Sequence, residues 1–153
     1  MFKKILNIKN IAIIMIAIFF LFDRYLKYLA LNSEGPRELV KNVFNFSFSK
    51  NYNIAFSLKV LSPEALTILI AIIILLLLFY LIYLSKKNYS KHLTLPLLAI
   101  ILGAFSNWLD RALYLYVIDY FEVLNISILN IADIMITLGV AYLLFSTYIK
   151  KRA

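Results

Sequence analysis

With no cysteine and a single histidine in 153 residues, the side chains left to do acid and base chemistry are eight carboxylates. Thiolate nucleophiles, disulfides and thiolate metal sites are excluded. His92 stands in a lysine-rich turn, far in sequence from any acid, so it supports neither a metal site nor a Ser-His pair and reads as an interfacial loop residue. Lys27 could activate a serine, but local spacing places none beside it. No cofactor or metal is expected.

Four of the acids, Asp23, Asp110, Asp119 and Asp133, converge on one rim. Asp110 lies 18 residues after His92 and Asp133 lies 17 before Lys150. At the rise of a helix both are roughly 25 Å from those basic ends. Asp23, 14 residues after Lys9, comes to roughly 21 Å by the same arithmetic. Asp119 follows Asp110 in the next connection. An ionisable group at the edge of a membrane is costly enough that function is the default reading. Two carboxylates brought close in a low-dielectric site cannot both ionise, so the pair can act as acid and base around a bound water, the chemistry of aspartic proteases. The plainer alternative is local neutralisation, Asp23 by Lys27 at i, i+4 and Asp110 by its neighbour Arg111 or another base.

The elements that must position these acids are apolar helices. Apolar residues make up 63% of the chain and the mean hydropathy is +0.87, which excludes an ordinary soluble domain. Ala65 to Ser85 is an uncharged run of 21 residues, against the about 20 that a bilayer core requires. Further runs complete an expected set of four spans near residues 8–30, 65–85, 93–112 and 131–149, with an outer subdomain near 31–64. In that subdomain VFNFSFS, Val43 to Ser49, alternates apolar and polar as a half-buried strand does. The N-terminus imitates a signal peptide, yet FFLFDRYLKYLAL offers no small-residue cleavage pattern, so it reads as a retained first helix. A net charge of +8 would raise nucleic-acid binding in a soluble protein. Here Lys3, Lys4, Lys9, Lys86, Lys87, Lys91, Lys150, Lys151 and Arg152 gather on one side without an acid, the cytoplasmic side by the positive-inside rule. Both termini are therefore expected inside and no nucleic acid is expected as a partner.

Five blocks then carry a resemblance. They are D-x-x-x-K at Asp23 to Lys27, NYNIAFS at Asn51 to Ser57, GAFSNWLDR at Gly103 to Arg111, VIDY at Val117 to Tyr120 and LNIAD at Leu129 to Asp133. In this order they resemble lipoprotein signal peptidase, signal peptidase II, over nearly the whole chain. The resemblance implies a single integral membrane peptidase domain, residues 1–153. Its fold would be a membrane all-α one with four transmembrane helices, an extracytoplasmic β-cradle and a short outer helix. It implies a bacterial inner-membrane aspartyl endopeptidase that cuts prolipoproteins before the diacylglyceryl-modified Cys, without a cofactor. Its partners would be those substrates, membrane lipids and a cyclic-peptide inhibitor of the globomycin type, and it would act as a monomer.

The resemblance makes Asp119 and Asp133 the catalytic dyad and Asp110 a supporting residue. Asn51, Asn107, Arg111 and Asn130 would line the site and orient substrate or dyad, with Asp23 and Lys27 in support. Residue physics leans the same way, since Asp119 stands among Val117, Ile118, Tyr120 and Phe121 and carries a shared proton more easily than Asp110 beside Arg111. Asn107, Asp110 and Arg111, at i, i+3 and i+4, share one helix face. Capping or interhelical bonding is the plainer role for the asparagines. The chain departs from the family pattern at Asn53, Ile54, Ser106 and Leu129, which puts substrate preference in doubt more than the chemistry. A small transporter and a non-catalytic lipoprotein-binding relative are the alternatives. The transporter needs a polar path that uncharged Ala65–Ser85 does not supply.

Overall fold

The long apolar runs form helices and the polar-apolar alternations between them form one small sheet. The computed structural model describes residues 8–52, 61–87, 91–124 and 126–152, apart from the side chains of 91, 92 and 150–152. In chain order the elements are α1 (Ile8–Leu31), β1 (Arg37–Val40), β2 (Phe44–Asn51), α2 (Pro63–Lys86), α3 (Lys91–Tyr114), β3 (Val117–Val123), β4 (Ser127–Leu129) and α4 (Ile131–Arg152). Ser62 starts α2 as an N-cap, its hydroxyl accepting from the Ala65 amide at 3.3 Å with Pro63 in the first turn.

Pro63–Lys86, Leu93–Tyr114 and Ile131–Ile149 are long and apolar enough to cross a membrane. α1 is as long as α2 and carries Asp23, Arg24 and Lys27 in its second half. α3 is the central helix and packs against the other three. On its α2 side Leu97 and Ile101 meet Ile74 and Leu84, and the Trp108 indole N–H donates to the Thr67 carbonyl at 3.2 Å. On its α4 side the contact is close, because Gly103 and Gly139 bring backbone against side chain with no room for a Cβ.

The sheet is antiparallel in the order β1-β2-β3-β4. The expected strand at Val43 to Ser49 is β2, half-buried over most of its length. Half of the sheet lies outside the expected outer subdomain, because Val117–Val123 and Ser127–Leu129 supply β3 and β4. VIDYFEV shows no alternation because its first four residues are all buried, so both faces of the strand are covered. Ile118 and Tyr120 pack with Ala30 at the end of α1 and with Ile131 and Met135 at the start of α4. The reversal from α3 into β3 runs through Leu115 at φ 64°, whose amide donates to the Arg111 carbonyl at 2.9 Å. No short helix occurs among the described residues between α1 and α2; residues 53–60, with Asn53, Ile54 and most of the NYNIAFS block, lie outside the description. Lys3 and Lys4 lie outside it too, and so does the side chain of His92.

Candidate active site

The start of α4 builds the site. Asn130 caps the helix, its Oδ1 accepting from the Asp133 amide at 2.8 Å, while Asp133 Oδ2 accepts from the Asn130 amide at 3.3 Å. This reciprocal pair is a capping box with an aspartate at the third helical position, so the local sequence N-x-x-D already fixes the Asp133 rotamer. Its other oxygen, Oδ1, accepts from Asn107 Nδ2 of α3 at 2.8 Å.

Asp119 is delivered by β3 to the same place. Asn130 Nδ2 donates to its Oδ1 at 2.6 Å, and Asn51 Nδ2, from the end of β2, donates to its Oδ2 at 2.8 Å. One side chain, Asn130, thus bonds Asp119 through its NH2 and the Asp133 amide through its carbonyl. Burial first, and then the charge of Asp133, push the Asp119 carboxyl up to about 6, against the pull of the two asparagine donors. The pair therefore has one member able to hold a proton near neutrality beside a second carboxylate.

A second cluster adjoins the first. Lys27 Nζ lies 2.7 Å from Asp110 Oδ2 and 3.2 Å from Asp23 Oδ2, and donates to Asn107 Oδ1 at 2.7 Å. The three N–H groups of the ammonium thus have an acceptor each, with Ser106 Oγ farther off at 3.5 Å. With its oxygen taken by Lys27 and by Asn130 Nδ2 at 3.2 Å, the Asn107 amide can only turn its NH2 to Asp133. Asp110 also receives Arg24 at 2.5 Å and the Ile118 amide at 3.2 Å. It is fully buried, as are Asp23 and Lys27. Of the two choices open for Asp110, its neighbour Arg111 or another base, the structure brings two other cations, both from α1, into contact with it, because α1 packs on the Asp110 face. Arg111 is buried on α3, and its guanidinium interacts electrostatically with Asp119, then Asp133, then Asp110.

Asp23 pairs with Lys27 as local spacing suggested, and it also accepts from Ser106 Oγ at 2.6 Å, Tyr120 OH at 2.8 Å and the Ala132 amide at 3.1 Å. These bonds satisfy Asp23 and Lys27 within the protein, which accounts for the pair that the transport reading relied on. Ser106 Oγ is 3.5 Å from Lys27 Nζ, yet it is fully buried and donates to Asp23, so it is no nucleophile. Arg24, Ser106 and Tyr120 carry much of this network and went unread as site residues. The first was hidden beside Asp23, the second registered only as a departure from glycine, and the third passed for an apolar flank. Among the described residues no three His, Cys, Asp or Glu side chains are gathered as a metal site requires.

The family model for signal peptidase (SPase) II matches residues 15–149. The chain is 34% identical over 140 residues to a lipoprotein signal peptidase of Clostridium tetani, covering 86% of this chain and 88% of that one. It is 31% identical over 134 residues to the lipoprotein signal peptidase of Halothermothrix orenii, with 86% and 90% covered. A bacterial membrane enzyme solved by the in meso method at 2.3 Å resolution shares its fold with a TM-score of 0.77 at 24% identity, over 93% of this chain and 90% of that one. Sequence match over most of the length and a pair of aspartates held by three asparagines, Asp119 buried and Asp133 half-buried, point one way: the chain belongs to the signal peptidase II family of aspartic peptidases.

Proposed function

We propose that this protein removes the signal peptide from diacylglyceryl-modified prolipoproteins by cutting before the lipidated Cys, with Asp119 and Asp133 as its catalytic dyad. The observation that carries the reading is the Asn130 side chain bonded to both Asp119 and the Asp133 amide, with the charge of Asp133 felt at Asp119. One carboxylate takes a proton from a water as it attacks the scissile carbonyl, and the protonated partner supplies a proton to the developing oxyanion. Asn51 and Asn130 hold Asp119, Asn107 holds Asp133, and Arg111 balances charge at the site. Asp110, Asp23 and Lys27 support from behind, out of reach of substrate.

Four spans in a bacterial inner membrane fit this chemistry. The charges of α1 point inward, with Asp23 and Lys27 fully buried, while Ile14, Met15, Ile18, Leu21 and Phe22 are exposed as a lipid-facing surface is. The lysine-rich ends of α2 and α4 support a reading with both termini in the cytoplasm and the sheet and dyad at the outer face. The domain is single, acts as a monomer among membrane lipids, and takes a globomycin-type cyclic peptide at the dyad.

The test is cleavage of a diacylglyceryl prolipoprotein by purified protein in detergent. Asp119→Asn and Asp133→Asn are expected to abolish it in protein that melts cooperatively. Asp110→Asn is expected to act through stability, lowering the melting temperature. Turnover retained by either dyad variant overturns the assignment, and a folded parent that never cleaves overturns the function.

A further inference from the structure

Tyr120 follows Asp119 in β3, and because successive strand residues point to opposite faces it is turned into the core. There its ring packs against Phe46 and Phe121 at centroid distances of 5.7 and 4.7 Å. Its hydroxyl is fully buried, donates to Asp23 Oδ1 at 2.8 Å and accepts from the Ile131 amide at 3.0 Å. Burial, and then the Asp23 carboxylate, raise the phenol far above its ordinary value, so it stays a neutral donor.

The first amides of any helix lack intrahelical partners. In α4 all three are taken from different places: Ile131 by Tyr120 of β3, Ala132 by Asp23 of α1 at 3.1 Å, and Asp133 by its own cap Asn130 at 2.8 Å. Tyr120 is thus a second polar link, on the core side of β3 and beside that of Asn130, between the strand that carries Asp119 and the helix turn that carries Asp133. The sequence pattern around it does not ask for a hydroxyl, since a phenylalanine would fill the same apolar space.

We infer that Tyr120 is a positioning residue for the reaction: its hydroxyl, anchored on Asp23, struts β3 against the first turn of α4 and sets the separation of Asp119 and Asp133. The inference rests on the dyad reading and adds a residue to it. Tyr120→Phe keeps the ring contacts and deletes only the strut. Its kcat for the diacylglyceryl prolipoprotein should fall about tenfold with KM unchanged, short of the roughly hundredfold that a misplacement of about 1 Å can cost. Loosening the pair weakens the action of the Asp133 charge on Asp119, so the upper limb of the pH–rate profile moves to lower pH. Hydrogen exchange at the Ile131 amide should quicken.

A lower melting temperature with unchanged kcat and pH profile overturns the inference and leaves the dyad standing. If the parent itself does not cleave, the dyad reading fails, and amide exchange decides the strut: faster exchange at Ile131 in the variant supports it and unchanged exchange overturns it. If the variant does not fold, the parent decides. An Ile131 amide protected as well as those of Ala132 and Asp133 supports the strut, and a rapidly exchanging one overturns it.

Discussion

Gly103→Ala tests how tightly the helix packing sets the dyad. A Cβ at Gly103 would lie 2.7 Å from the Ala132 carbonyl oxygen, 3.0 Å from Ile136 Cγ1 and 3.3 Å from Met135 Cβ. The two side chains can turn aside. The carbonyl belongs to the first turn of α4 and cannot retreat without that turn, whose next residue is Asp133. Ordinary contact begins at 3.4 Å, so α4 must withdraw by 0.7 Å, the difference between 3.4 and 2.7. Asp119 stays with its strand, so the withdrawal opens the pair. Scaling from about hundredfold per ångström, kcat should drop roughly 25-fold. Overpacking should also cost about 1–3 kcal/mol of stability. Gly139→Ala is the matched control on the same helix pair, where a Cβ meets Ile100 Cγ1 at 2.6 Å and the Pro96 carbonyl oxygen at 2.9 Å. It lies six residues beyond Asp133, roughly 9 Å along the axis. It should lose similar stability and keep most of its turnover. The assay is cleavage of the lipidated precursor in detergent, with thermal unfolding of the same preparations. Equal loss of turnover in both variants, or parental turnover in Gly103→Ala, refutes the reasoning.

With the Asp119 carboxyl at about 6, kcat/KM should decline as pH rises past that value, and a rate that climbs steadily through neutrality contradicts it. The same carboxyl titrates near 4 when unfolded, so the stability linked to its proton is present at low pH and lost as pH rises through about 6. Asp119→Asn should therefore melt above the parent at neutral pH, by roughly 2 kcal/mol once one lost hydrogen bond is set against the gain, and the advantage should vanish below pH of about 4. Arg24→Gln leaves Asp110 its Lys27 partner, and because the Arg24 side chain is 26% exposed the loss should be only about 1–2 kcal/mol. Lys27→Met strips the cation from Asp23 and should cost about 3–5 kcal/mol; equal shifts in thermal melts would disprove that ranking. Leu115→Gly relieves a positive φ at a residue 42% exposed. It should raise stability by about 1 kcal/mol, and a lower melting temperature would count against strain at that turn.

The local features of the site were legible because they depend on near neighbours in the chain. Asn130 and Asp133 make a capping box at i, i+3, and Asp23 reaches Lys27 at i, i+4, so spacing alone brings each pair together. The strand at Phe44–Asn51 showed itself by alternation, while Val117–Val123 did not, because a strand covered on both faces loses the period of two. Arg24 and Ser106 escaped notice for the same reason that their bond matters, since they lie 82 residues apart.

From its sequence alone this chain is a membrane protein whose acids gather at one end of apolar helices, because hydropathy and charge placement act residue by residue and need no fold to be read. What the tertiary structure decides is which acid meets which partner. Asp110 and Asp119 are both aspartates near the end of α3, yet one is closed between Arg24 and Lys27 and the other stands beside Asp133 between Asn51 and Asn130. That division follows from the turn at Leu115 and from the packing of α1 against α3, contacts between segments far apart in the chain that no local pattern encodes.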